Sequence, residues 1–315
     1  MRVLVVGAGV TGLTCAVVAA ERGHHVDVLA RDLPQETTSA VAAACWYPYL
    51  AYPAERVLGW ARRSYEVFTE LASYASTGAD GQPGVAVRTV RELTPEPAAD
   101  PWWRGAVPSL QRLDVVPDGY TDGWTFAAPV AHMPRYLTYL ERRLADAGAT
   151  VTRMALATLP PGADAVVNAS GLGSRLLSDD GSTTPVRGQV LRLPPIEGVD
   201  DVLLADRVDT VTYVVPRGDD VVVGGTSEAG VWDLGARAVD TEAILARASA
   251  LVPALRGAPV LGVRVGLRPA RPSVRLEVER RDGASPVVHC YGHGGAGVTL
   301  SWGCAEEVAD LLDAL

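Results

Sequence analysis

The chain opens on a continuous apolar run, residues 2–6 (Arg-Val-Leu-Val-Val), of the kind expected of a parallel strand buried on both faces. It ends in Gly7-Ala-Gly9-Val-Thr-Gly12, and the apolar, Ala-rich residues 13–22 then read as a helix that Gly23 stops. Residues 25–30 alternate as a second strand, and the small, Ala-rich stretch 37–44 suits a helix. Pro, Gly and Trp crowd residues 78–124, which predicts irregular connections and short strands rather than helices. Met133, Leu137, Leu140 and Leu144 recur at helical spacing, predicting an amphipathic helix over 129–147 closed by Gly148. Residues 165–168 read as a short buried strand, 211–216 and 220–225 as an antiparallel pair, and 240–251 as a helix. A strand over 286–291, a glycine turn over 292–297 and a helix over 300–315 complete the pattern.

This is an α/β pattern with β-rich insertions. Gly7 permits the tight strand-to-helix turn, Gly9 lets backbone approach a pyrophosphate, and Gly12 lets the helix lie close to the strand. The helix N-terminus offers unpaired N–H groups and a positive dipole end to phosphates. Placed between strand and helix, this fingerprint predicts a Rossmann-like dinucleotide site that includes Val10 and Thr11. The first and last segments both end strands in glycine turns, so they are expected to meet over one ligand and share a domain.

Composition narrows the chemistry. The 315 residues suffice for about two structural units. A net charge of −9 argues against nucleic acid as a partner, and no apolar run approaches the roughly 18 residues of a membrane span. With no signal-peptide layout at the N-terminus, a cytoplasmic location is expected. Cys15, Cys45, Cys290 and Cys304 are scattered, so reduced buried thiols are expected, with a bridge of the Cys45–Cys290 kind left open. All 28 basic side chains are arginine. Without a lysine there is no pyridoxal-phosphate aldimine, and that route to amino-acid chemistry is closed.

Four stretches together resemble the D-amino-acid oxidase family of flavoproteins: VVGAGVTGL at 5–13, VAAACWYP at 41–48, GLRPARPSVRL at 266–276 and YGHGGAGVT at 291–299. The resemblance implies non-covalent FAD in a Rossmann-like domain made of residues 1–48, 130–185 and 266–315. It also implies a substrate domain on a mixed or antiparallel sheet from 49–129 and 186–265. The implied reaction is oxidative deamination of neutral D-amino acids to 2-oxo acids, with ammonia and hydrogen peroxide, by hydride transfer from Cα to flavin N5. The implied partners are a D-amino acid and O2, with neither nucleic acid nor membrane, and a homodimer left open.

The resemblance singles out Arg275 as the bidentate anchor for the substrate carboxylate, a task that suits a planar guanidinium fork. Arg268 and Arg271 are then expected to pair with acids such as Glu277 or Glu279. By the same resemblance the Tyr213 hydroxyl bonds the carboxylate and the Gly295 carbonyl accepts from the substrate amine; Val215, two residues on from Tyr213, would face the same side and line the pocket. Gly294, Gly295 and the N–H groups of Gly297, Val298 and Thr299 would meet the flavin. Residues 42–46, with Ala43, Ala44 and Cys45, would lie against it. Arg31 and Asp32 would meet the adenosine part, Thr37, Thr38 and Ser39 the phosphates, and residues 168–171, with Gly171, the adenine side. His293 is read as a backbone brace, and His289-Cys290-x-x-His293 as too sparse for a metal, so none is expected.

Two departures bear on specificity. Ser227 stands where some members carry a tyrosine or arginine, which argues against acidic substrates. The connection from Leu204 to Thr212 is short and carries Asp209 in place of a lid tyrosine, so an open pocket without a mobile lid is expected. Competing readings are a glycine or sarcosine oxidase of the same fold, an NAD-dependent dehydrogenase, and a non-catalytic dinucleotide-binding protein.

Overall fold

The apolar opening run forms β1 (Arg2–Val6), with its last four residues buried, and α1 (Val10–Glu21) carries the chain to the parallel neighbour β2 (His25–Ala30). The computed structural model describes residues 1–74, 82–207 and 210–315. Only a single turn, α2 (Thr38–Val41), forms where a helix over 37–44 is expected. It ends because Ala42 has an extended ψ of 140° and Ala44 takes a φ of +60°, outside the helical region.

α3 (Ala54–Tyr74) is not among the predicted elements. It buries Val57, Trp60, Ala61, Ser64, Tyr65, Phe68 and Leu71, a stripe at helical spacing. The Pro- and Trp-rich stretch holds two long strands, β3 (Val85–Thr94) and β5 (Asp122–Ala131), with the short β4 (Gln111–Arg112) between them. Pro129 pairs with Val87 inside the β3–β5 ladder, so the predicted helix over 129–147 starts later, as α4 (Met133–Asp146). Next come β6 (Thr150–Arg153), β7 (Ala165–Asn168), α5 (Ser174–Leu177), β8 (Thr184–Leu193), β9 (Val202–Arg207), β10 (Thr210–Pro216) and β11 (Val221–Gly224). The chain ends with β12 (Glu228–Ala229), α6 (Ala238–Leu251), β13 (Gly262–Glu279), β14 (Val287–His293) and α7 (Gly297–Asp313).

The described strands form one sheet in the order β4-β5-β3-β9-β10-β11-β8-β13-β14-β7-β1-β2-β6, with β12 beside β8. From β14 to β6 the strands are parallel; β14, β13, β8, β11, β10 and β9 each run antiparallel to the next, and β9 is then parallel to β3. The 18-residue β13 joins the two halves, pairing with β8 through its first part and β14 through its second. Helix α7 packs between α1 and α3, and the Ser64 hydroxyl accepts from the Trp302 and Gly303 amides. No helix of the described residues is long and apolar enough to cross a membrane.

Candidate active site

A cavity of about 1070 Å³ runs from the C-terminal ends of β1 and β2 to the face of β10. That size is at the upper end for a small-ligand site and suits a dinucleotide with room for a substrate. At the β1 end it is walled by Gly7, Gly9, Val10 and Thr11. Gly12 is not in the wall: a Cβ there would stand 1.9 Å from the Gly7 carbonyl oxygen, so it brings helix to strand, as its place in the fingerprint suggests, without facing the ligand. The N-cap residue of α1, Gly9, makes no side-chain cap and no acid sits in the first turn, so the positive end of the helix dipole is directed at the cavity. The Ser39 hydroxyl, also in the wall, accepts from the Val10 amide at 2.9 Å.

Arg31 and Asp32 line the same end and pair with one another at 2.6 Å. Thr37 and Thr38 are in the wall, but their hydroxyls donate to the Pro34 and Leu267 carbonyls. Gly171 lines the cavity beside Ser170; Asn168 instead turns to Ser178 and His289.

The middle of the cavity is walled by Ala42, Ala43, Ala44 and Cys45 on one side and by Gly294, Gly295, Gly297, Val298 and Thr299 on the other. Trp46 faces away, donating to the Ala61 carbonyl. The second group begins α7, whose N-terminus also lacks a side-chain cap, so a second positive helix end meets the cavity. Thr299 is fastened by its hydroxyl, which accepts from the Tyr47 amide and donates to the Tyr47 carbonyl. Burial, with the charge of Glu92, pushes the Cys45 thiol up to about 12, so it is an inert wall group.

At the far end stand Tyr213, Val215, Val211, Leu204 and Glu92, with Arg268 from β13. The Arg268 guanidinium donates to the Thr226 carbonyl at 3.1 Å, and among the described residues no carboxylate lies within ion-pair distance of it. This overturns the expectation that Arg268 pairs with an acid. Arg271 does pair with one, Asp180, at 2.9 Å.

Arg275 is a second correction. It is not in the cavity wall. Its guanidinium donates to Glu277 at 2.7 Å, to the Tyr291 hydroxyl at 2.8 Å and to Glu279 at 3.2 Å. Its donor fork is thus spent on a network on another part of the sheet, and the cation that faces the cavity beside Tyr213 is Arg268. Ser227 lies outside the wall, 3.4 Å from the Tyr49 hydroxyl. Asp209, on which the reading of a missing lid depends, lies outside the described residues.

His293 is buried, and desolvation pushes its pKa down to about 4, so it is neutral near pH 7. Its Nε2 lies 3.9 Å from the Cys290 thiol, and the Cys304 thiol joins them within 4.8 Å. All four cysteines are free. His289 faces Glu279 instead, at 2.8 Å. The wall also takes Tyr47 and Tyr49, which continue the 42–46 segment, and Glu92, Leu204, Trp232 and Leu234, which arrive from elements distant in the chain and were not anticipated from sequence. The two helix N-termini that face the cavity and the small-residue walls between them fit FAD.

Comparison with known proteins agrees. The family model described as FAD dependent oxidoreductase (DAO) matches residues 2–311. The chain is 50% identical over 320 residues to a D-amino-acid oxidase of Rubrobacter xylanophilus, covering 99% of this chain and 96% of that one. It is 40% identical to a D-amino-acid oxidase of Streptomyces coelicolor, covering 98% and 96%. It is 37% identical to the D-aspartate oxidase of Homo sapiens, covering 99% and 94%. Glycine oxidase from Geobacillus kaustophilus shares the fold, with a TM-score of 0.84 at 20% identity over 99% of this chain and 94% of that one. The chain belongs to the DAO family of FAD-dependent oxidoreductases.

Proposed function

We propose that this chain is a D-amino-acid oxidase, converting neutral D-amino acids to 2-oxo acids with release of ammonia and hydrogen peroxide. The observation that carries the reading is the Arg268 guanidinium, set in the wall beside Tyr213 with no carboxylate partner among the described residues. A half-buried guanidinium fork of this kind is completed by a ligand carboxylate through two parallel charge-assisted bonds. The Tyr213 hydroxyl adds a third bond to the same carboxylate, and the Gly295 carbonyl accepts from the substrate amine. Three such contacts fix the α-carbon and its hydrogen, so the chain's share of catalysis is positioning.

FAD, when bound, supplies the two-electron oxidising equivalent, and O2 regenerates it. Gly7, Gly9, Val10, Thr11 and Ser39 would hold its pyrophosphate, Arg31, Asp32 and Gly171 its adenosine part, and residues 43–45, 294–295 and 297–299 its ring system. Residues 1–48, 130–185 and 266–315 would form the cofactor part and 49–129 with 186–265 the substrate part. The neutral His293 and the protonated Cys45 are poor proton acceptors at neutral pH, and the reading needs none, because the substrate amine reacts in its neutral form. The free thiols suit a cytoplasmic setting.

Anaerobic mixing of the yellow protein with D-alanine, L-alanine and glycine tests the reading. D-Alanine alone is expected to bleach the flavin quickly; bleaching by glycine in preference would replace this reading with a glycine oxidase.

A further inference from the structure

We infer that Glu92 sets the charge preference for the substrate side chain, favouring D-amino acids that end in an amine or guanidinium and turning away acidic ones. This rests on the D-amino-acid oxidase reading and extends it to a further substrate class. Tyr213 is the register partner of Leu204, and Leu204 is the register partner of Glu92, across β10, β9 and β3. Direct partners leave the same face of a sheet, and all three side chains line the cavity. Neighbouring strands stand about 4.8 Å apart, which puts Glu92 about 10 Å from Tyr213 along the sheet. β3 and β13 lie on opposite sides of β10, so Glu92 and Arg268 flank Tyr213. A substrate with its carboxylate on Arg268 and Tyr213 therefore has Leu204 and Val211 beneath the apolar part of its side chain and Glu92 beyond them.

Tyr47 donates to Glu92 Oε1 at 2.5 Å, which holds the carboxylate in the wall. A carboxylate accepts at about four lone-pair sites, so it can take a donor from the substrate alongside the interactions it already makes. A lysine- or arginine-like side chain meets an opposite charge there. An acidic side chain would bury a like charge beside it, which is costly in a half-dry cavity.

The test compares near-isosteric substrates on the FAD-loaded enzyme. The native enzyme is expected to have a higher kcat/KM for D-lysine than for D-norleucine. In Glu92→Gln that ratio should fall at least tenfold, and kcat/KM for D-glutamate should rise, a gain that misfolding cannot mimic. A native enzyme that prefers D-norleucine, or a ratio unmoved by the substitution, overturns the inference, and the native comparison decides it alone if Glu92→Gln fails to fold. D-Alanine separates the two levels. If D-alanine is oxidised and the ratio is unmoved, only the role of Glu92 falls; if no D-amino acid bleaches the flavin, the underlying reading falls with it.

Discussion

The guanidinium of Arg268 lies directly over Gly188: a Cβ at that position would stand 2.5 Å from both terminal nitrogens and 2.6 Å from Cζ. Gly188 sits in β8, opposite β13, and the absence of a side chain there gives the fork its seat against the sheet.

Gly188→Ala should therefore lift the fork out of register with its ligand while leaving the backbone ladder in place. KM for D-alanine is expected to rise about tenfold, which corresponds to ~1.4 kcal/mol, with a smaller fall in kcat. Steady-state kinetics on the alanine variant check this, and an unchanged KM would remove the seat from the account.

Arg275 is expected to matter for stability and not for substrate. Arg275→Met strips donors from Glu277, Glu279 and the Tyr291 hydroxyl. Glu279 keeps Arg281 and His289, so the loss should be moderate, about 1–2 kcal/mol, or a few degrees in Tm. Thermal unfolding of the FAD-loaded variant measures it; an unaltered Tm would show that the network contributes nothing.

Much of this molecule could be read from its sequence, and the failures have physical causes. β2 and β7 occupy the predicted residues because each is a short run with clear turn residues on both sides. α3 was legible in its apolar spacing, Val57 to Leu71, but its polar intervals resemble the loop residues around it. That Arg268 lines the cavity and Arg275 does not was hidden for a subtler reason. Arg268 and Arg275 are an odd seven residues apart, and between Ala270 and Arg275 five steps along β13 match two along β14, so alternation along the strand does not tell which of them faces the cavity. One local signal did point the right way: Glu277 and Glu279 follow Arg275 at two and four residues, the same face of a regular strand, and they are its partners. The Tyr213–Leu204–Glu92 row was hidden because its register is set by three strands far apart in sequence.

The N-terminal turn gives a prediction about cofactor retention. In Gly12→Ala the added methyl meets the Gly7 carbonyl oxygen at 1.9 Å, so α1 must move from β1. FAD affinity is expected to fall at least tenfold, ~1.4 kcal/mol, read as flavin per chain after dialysis. Full retention would mean that the helix end does not hold the pyrophosphate.

Stability should fall on acidification through His293. Its folded pKa of about 4 lies below the ordinary 6.5, so between those values the unfolded chain takes up a proton that the folded chain refuses. The stabilisation is complete above about pH 6.5 and is lost as pH falls toward 4, by ~1.4 kcal/mol per pH unit and about 3 kcal/mol in all. The drop in Tm from pH 7 to pH 4.5 should be smaller in His293→Gln than in the native protein. Equal drops would show that the imidazole does not titrate as its burial requires.

The central claim is that Arg268, and not Arg275, grips the acid end of the ligand. Titrating benzoate, a simple carboxylate, into FAD-loaded Arg268→Met and Arg275→Met and following the flavin spectrum tests it directly. The account predicts a Kd weakened about 100-fold, or ~3 kcal/mol, in the first and nearly native in the second. A native-like Kd in Arg268→Met, with the loss in Arg275→Met, would contradict it.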